Sequence, residues 1–245
     1  MSRIRWYGVL LGLSLISAPV RAAGDIDLAL VLVTDVSRSI DHSEFHLEKE
    51  GYAAAFTSER TLAAIKAGAN GAIAVAYVEF GSPSEVKTVV NWRVINDAAS
   101  ARAFVEEVSA APRSFWGRTA IGSGIEHAVA MLREMHATRR TIDVCGDGTN
   151  NSGPEVGSVR DEAVEEGITI NGLAIVNEHP VAWAYAHVQP PGGLPHYYQE
   201  NVAGGPGNFV LEVKDFHAFA DAMTRKLIAE ISGRQPDTRF AALKR

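Results

Sequence analysis

Residues 26–39 read IDLALVLVTDVSRS. The stretch Ile26 to Thr34 is an apolar run without polar alternation, and it stops at a polar turn. That is the pattern of a strand buried on both faces, as in the interior of a parallel sheet. Working outward, Asp41 and Glu44 have capping-box spacing and open a helix to about Phe56. Residues 59–67 read as a further short helix. Ala72 to Phe80 and Lys87 to Val94 are strands joined by Gly81-Ser82-Pro83-Ser84, a connection short enough to make the pair antiparallel. Ala98 to Ala110 and Thr119 to Met135 carry apolar stripes at helical spacing. Strands follow at Thr141 to Cys145, Ile168 to Val176 and Asn208 to Val213, with helices at Glu155 to Glu166 and Asp215 to Ile231. This alternation predicts an α/β fold, Rossmann-like and doubly wound, with a mostly parallel sheet and helices on both faces.

Composition agrees with one large α/β unit. The chain has 245 residues, 47% apolar and 21% charged, which excludes a disordered or collagen-like chain. A net charge of −6 argues against nucleic-acid binding, because phosphate contacts need clustered Lys and Arg. One cysteine can form neither an internal disulfide nor a Cys-based zinc site.

The first 22 residues read as a secretory signal peptide. Arg3 and Arg5 precede the apolar stretch Val9 to Ile16, and Val20 and Ala22 are the small residues before a cut after Ala22. The apolar run falls short of the roughly 20 residues that span a bilayer. Cleavage removes Arg3, Arg5 and Arg21 and no acid, so the charge moves from −6 to −9. The expected product spans 23–232 as one domain plus a tail, 233–245, and is periplasmic or secreted with no stable membrane span. One connection is unusually long: 177–207 is rich in Pro and Gly and contains His179, Trp183, Tyr185, His187, His196, Tyr197 and Tyr198. Connections of this length are commonly functional.

Ligands of open α/β sheets bind beyond the carboxyl ends of the strands. Three loops reach that end. Asp35-Val36-Ser37-Arg38-Ser39 follows the first strand, Gly117-Arg118-Thr119 precedes the strongest helix, and Gly146-Asp147-Gly148 follows a later strand. They supply two carboxylates (Asp35, Asp147) and three hydroxyls (Ser37, Ser39, Thr119). These hard oxygen donors suit Mg²⁺, Mn²⁺ or Ca²⁺ and are wrong for zinc. Side chains two apart in an extended turn point the same way, so Asp35, Ser37 and Ser39 can face one ion. Two carboxylates balance a divalent ion and neutral hydroxyls leave it electrophilic, open to a further carboxylate. The alternative is that these residues are caps and turns: Thr119 is a good N-cap, and Asp147-Gly148 a turn.

This constellation resembles the von Willebrand factor type A (VWA) domain and its metal-ion-dependent adhesion site (MIDAS). The resemblance assigns Asp35, Ser37 and Ser39 to the first loop of that site, Thr119 to the second and Asp147 to the third. It implies hydroxyls contacting the ion directly, carboxylates often acting through water, and an antiparallel strand at the sheet edge. Tyr-Val-Glu-Phe (77–80), Trp-Gly-Arg-Thr (116–119), Cys-Gly-Asp-Gly (145–148) and Gly-Gly-Pro-Gly (204–207) resemble, more narrowly, a bacterial family of exported A-like domains of unknown function (DUF1194). The implied activity is divalent-cation-dependent capture of an acidic group on a protein partner. Arg38 and Arg118 flank these loops, and two readings stand for them: contacts to an acidic ligand, or solvated side chains paired with Asp41 and other acids.

Other readings compete. A metal-dependent exported hydrolase, such as a phosphoesterase, would need a nucleophile or base beside the ion. Asp35 is the obvious candidate, but the residue two positions on is Ser37 rather than a second carboxylate. A metal-free scaffold is the third reading. The histidines of the long connection are too irregularly spaced to define a zinc site. No Gly-x-Ser-x-Gly elbow or phosphate-binding Gly-Lys loop occurs. Cys145 reads as a small buried side chain.

Overall fold

The first strand, β1 (Leu28–Asp35), is fully buried along its whole length. In the computed structural model, residues 26–176, 190–214 and 218–236 are described. The proposed leader, His179 and His187, and Asp215 at the expected start of the last helix lie outside them. β1 pairs in parallel with β2 (Ile73–Phe80) on one side and β4 (Arg139–Gly146) on the other. β2 pairs antiparallel with β3 (Val86–Ile95), which closes that edge. β5 (Thr169–Ile175) and β6 (Val210–Val213) extend the sheet in parallel beyond β4, giving the order β3-β2-β1-β4-β5-β6. The fold is the α/β doubly wound, mostly parallel sheet that the alternation predicts.

The unbroken apolar run of β1 is explained by its two covers. Leu28, Leu30 and Leu32 pack into one core with α1 (His42–Thr57), α2 (Glu59–Lys66), α3 (Ala98–Ala110) and α7 (Phe219–Ser232). Ala29, Val31 and Val33 face a second core under α4 (Ile121–Arg133) and α5 (Val156–Glu165). Leucines thus face one helical layer and smaller residues the other. At 25 cal/mol per Å² of apolar area, each fully buried Val or Leu contributes about 1.5–3 kcal/mol, which suits a chain with no disulfide. The capping box of α1 forms in both directions, Asp41 accepting from Glu44 N and Asp41 N donating to Glu44.

Two expectations are corrected. The α4 helix starts at Ile121 rather than Thr119, and its cap position, Ala120, provides no side-chain bond. Asn150 serves instead: its side-chain oxygen accepts from Gly122 N at 3.3 Å. The long connection is also not loop throughout. Its second part holds α6 (Leu194–Tyr197) and a π-turn, Tyr198–Val202, and buries Leu194, Tyr198 and Val202 in the second core. Among the described residues, no helix is long and apolar enough to cross a membrane.

The sheet order reverses direction between β1 and β4: the chain leaves β1 toward β2 and returns across it to β4. The carboxyl ends of these two neighbours carry Asp35 and Gly146-Asp147. This is the topological switch point at which such sheets bind ligands.

Candidate metal centre

All five residues singled out from the sequence converge there. Asp35 Oδ1 accepts from Ser37 N at 2.7 Å. Thr119 Oγ1 donates to Ser37 Oγ at 3.2 Å, Ser37 Oγ lies 3.1 Å from Ser39 Oγ, and Ser39 Oγ donates to Asp147 Oδ1 at 2.8 Å. The proton order follows from the ends. Ser39 gives its proton to a carboxylate, so Ser37 must donate to Ser39, and Thr119 to Ser37. Each hydroxyl proton is committed, while each oxygen keeps at least one lone pair free. The free lone pairs leave the hydroxyls with acceptor capacity, and the donor chemistry fits a hard divalent ion. Asp35, Ser37, Thr119 and Asp147 are buried, and Ser39 is half-buried. Among the described residues no three His, Cys, Asp or Glu side chains gather as a metal cluster. Any ion here therefore depends on hydroxyls.

The first loop departs from the extended form expected of it. Ile40 N donates to Ser37 O at 3.0 Å, closing a turn through Arg38 and Ser39. The turn, not strand alternation, brings the Ser37 and Ser39 hydroxyls together. It buries Val36 and leaves Arg38 exposed. Thr119 is likewise not a cap, since its hydroxyl is spent on Ser37. Arg38 and Arg118 are both exposed on the rim, and neither forms an ion pair among the described residues.

A frame of residues without a sequence signal holds the three loops. Arg113 donates to Val36 O, Ser37 O, Ile40 O and Phe115 O at 2.6–3.2 Å. Its guanidinium lies 3.7 Å from the centre of the half-exposed Trp116 ring. Burial lowers its pKa, against the pull of Asp35 and Glu79, and the group stays charged. Glu79 accepts from Ser114 N at 2.8 Å and steadies the segment that carries Arg113. Arg38 N donates to Gly117 O, joining the first two loops. Thr119 and Asn151 exchange two bonds, joining the second and third loops. Gly117 is required by close approach: a Cβ there would sit 2.8 Å from the backbone nitrogen of Ser82, as well as against the Ser82 and Glu85 side chains.

Behind the loops lies an acid-rich layer. Glu48 of α1 accepts from Cys145 Sγ at 3.2 Å. Burial, with Asp35, Asp147 and Glu79 nearby, pushes the Glu48 carboxyl well above the usual range. Burial also raises the Cys145 thiol, so it is an inert structural thiol. Further from the loops, Lys226 of α7 pairs with Asp143 at 2.8 Å and Glu230 at 2.5 Å, all three fully or nearly fully buried. His196, the one described histidine of the long connection, is exposed and belongs to no metal-type cluster among the described residues.

The fold is shared by VWA domains of known structure. Proximal thread matrix protein 1 from the mussel byssus, solved with a zinc-occupied MIDAS motif, superposes with a TM-score of 0.61 at 17% identity, over 85% of this chain and 49% of that one. The pilus adhesin SpaC of Lactobacillus rhamnosus GG gives 0.62 at 14% identity, covering 85% of this chain and 31% of the adhesin. A von Willebrand factor type A protein from Catenulispora acidiphila gives 0.57 at 15%, covering 84% of this chain and 43% of that one. This chain therefore spans about half the length of the mussel protein or less in each case. No curated protein matches in sequence. Residues 25–235 match the family described as protein of unknown function (DUF1194), and the chain, VWA-like in fold, belongs to that family.

Proposed function

We propose that the protein is an exported binding module that captures an acidic group of a protein partner through a divalent cation, Mg²⁺ by preference. The observation that carries this reading is the Thr119–Ser37–Ser39–Asp147 hydroxyl relay beside Asp35, at the switch point of the sheet. Ser37, Ser39 and Thr119 would hold the ion through oxygen lone pairs, with Asp35 and Asp147 balancing its charge. A cation bound there supplies an electrophilic centre on a protein whose overall charge is negative. The rim suits an acidic ligand: Arg38 and Arg118 are exposed cations, and half-exposed Trp116 offers a flat face stacked on Arg113.

A binding role fits the residues better than hydrolysis. Ser37 takes the place a second carboxylate would need, and its hydroxyl is engaged in the relay. Ser39 and Thr119 are likewise proton donors to neighbours, which leaves no free base among the hydroxyls. The test is binding to an immobilised peptide library with Asp or Glu at one position and Asn or Gln in matched controls. Acidic peptides retained in Mg²⁺ and released by chelator support the reading. Retention that ignores the chelator, or ignores the carboxylate, overturns it.

A further inference from the structure

Tyr198 opens the π-turn and is fully buried in the second core, yet its hydroxyl has no hydrogen-bond partner among the described residues. A buried hydroxyl left unpaired costs about 1–3 kcal/mol, so its retention calls for a reason. π-turns also recur at functional sites.

The ring is received by two glycines on adjacent strands. A Cβ on Gly172 of β5 would lie 2.8 Å from Tyr198 Cδ1, so only glycine admits the ring. A Cβ on Gly146 of β4 would lie 2.8 Å from Tyr198 Oη, 2.9 Å from Asp35 Cβ and 3.1 Å from Asp35 Oδ2. The hydroxyl and the Asp35 carboxylate therefore flank one point beside the strand that delivers Asp147. Glycine inside a strand marks such close approach. Tyr197, the preceding residue, reaches the same loop: its Oη accepts from Asn150 N at 3.1 Å. Two consecutive tyrosines thus tie the connection after β5 to the third metal loop.

We propose that Tyr198 is a positioning residue of the cation centre, its hydroxyl donating to the Asp35 carboxylate or to a water between them. This rests on the metal reading of the five loop residues. A phenol donor fixes the orientation of a carboxylate facing an ion, and such outer partners commonly change metal affinity 10–100-fold. It also makes the connection part of the site. Ordering of Asp35 by the ion would be felt through Tyr198 in the segment 194–202.

The experiment is calorimetric titration of Mn²⁺ into the purified protein and its Tyr198→Phe variant, with cation-free melting of both. The variant loses one oxygen atom and keeps the ring between Gly146 and Gly172. The proposal expects cation affinity at least about 10-fold weaker, with cation-free melting unchanged or higher. Equal affinity in the two proteins overturns this inference alone. A parent protein that takes up no cation overturns the metal reading together with it. If the variant melts lower without cation, hydrogen exchange decides on the parent protein. Slower exchange of segment 194–202 on Mn²⁺ addition supports the coupling, and unchanged exchange overturns it.

Discussion

Arg113→Met should destabilise the protein by about 3–4 kcal/mol. Methionine keeps an unbranched apolar stem and removes every donor. Four carbonyls, those of Val36, Ser37, Ile40 and Phe115, lose their partner. A hydrogen bond to a charged group contributes about 1.5–3 kcal/mol. The four do not add, because one guanidinium serves them all and the half-buried site lets water reach part of the loop. Two such bonds at the lower limit give about 3 kcal/mol, and stacking on Trp116 adds up to about 1 kcal/mol. Arg113→Lys keeps the charge but loses the planar fork, so it should recover less than half of the loss. Urea unfolding followed by circular dichroism measures both, and an unchanged m-value assigns the shift to the folded state. A methionine variant within about 1 kcal/mol of the parent would refute the reasoning that Arg113 holds the loop after β1 in place.

Gly146→Ala should cost about 1–3 kcal/mol and weaken cation binding, since its Cβ collides with Asp35 and Tyr198; thermal melting and a cation titration read the two effects. The buried cluster under α7 sets a pH dependence. Burial pushes the Glu230 carboxyl from 4.5 up to about 7 and raises Asp143 as well. Between those values the folded protein keeps a proton that the unfolded chain releases, so stability falls as pH rises through the window. Glu230→Gln should flatten that fall in urea titrations from pH 4.5 to 7, and an unaltered slope would remove Glu230 as its source. Thr119→Val removes the first donor of the relay while nearly keeping shape. It should weaken Mn²⁺ at least about 10-fold by calorimetry; equal affinity would take Thr119 out of the centre.

What could be read in the sequence was local. The apolar run before Asp35, the capping box at Asp41 and Glu44, and the stripe on α4 each declare themselves within a few residues. The three loops were legible for the same reason: each hydroxyl or carboxylate directly follows a strand or precedes a helix. These residues touch one another in the structure, through a turn at Arg38-Ser39 rather than by strand alternation. Thr119 looked equally good as a cap, and only the distance to Ser37 separates the two roles. Arg113 was not legible, because three of its four partners are backbone carbonyls more than 70 residues away, and backbone partners leave no side-chain pattern. Tyr198 was hidden in a connection whose order comes from glycine gaps on two distant strands. Donor softness set zinc aside, yet the mussel protein holds zinc in its motif. Softness alone does not select the ion, since geometry and availability also act.

The central claim is that Asp35, Ser37, Ser39, Thr119 and Asp147 together hold one divalent cation. Calorimetric titration of Mg²⁺ and Mn²⁺ into the purified protein and its Asp147→Asn variant tests it most directly. The account predicts one ion per chain in the parent and loss of that uptake in the variant, with the fold retained by circular dichroism. Uptake that is absent from the parent, or undiminished in the variant, would contradict it.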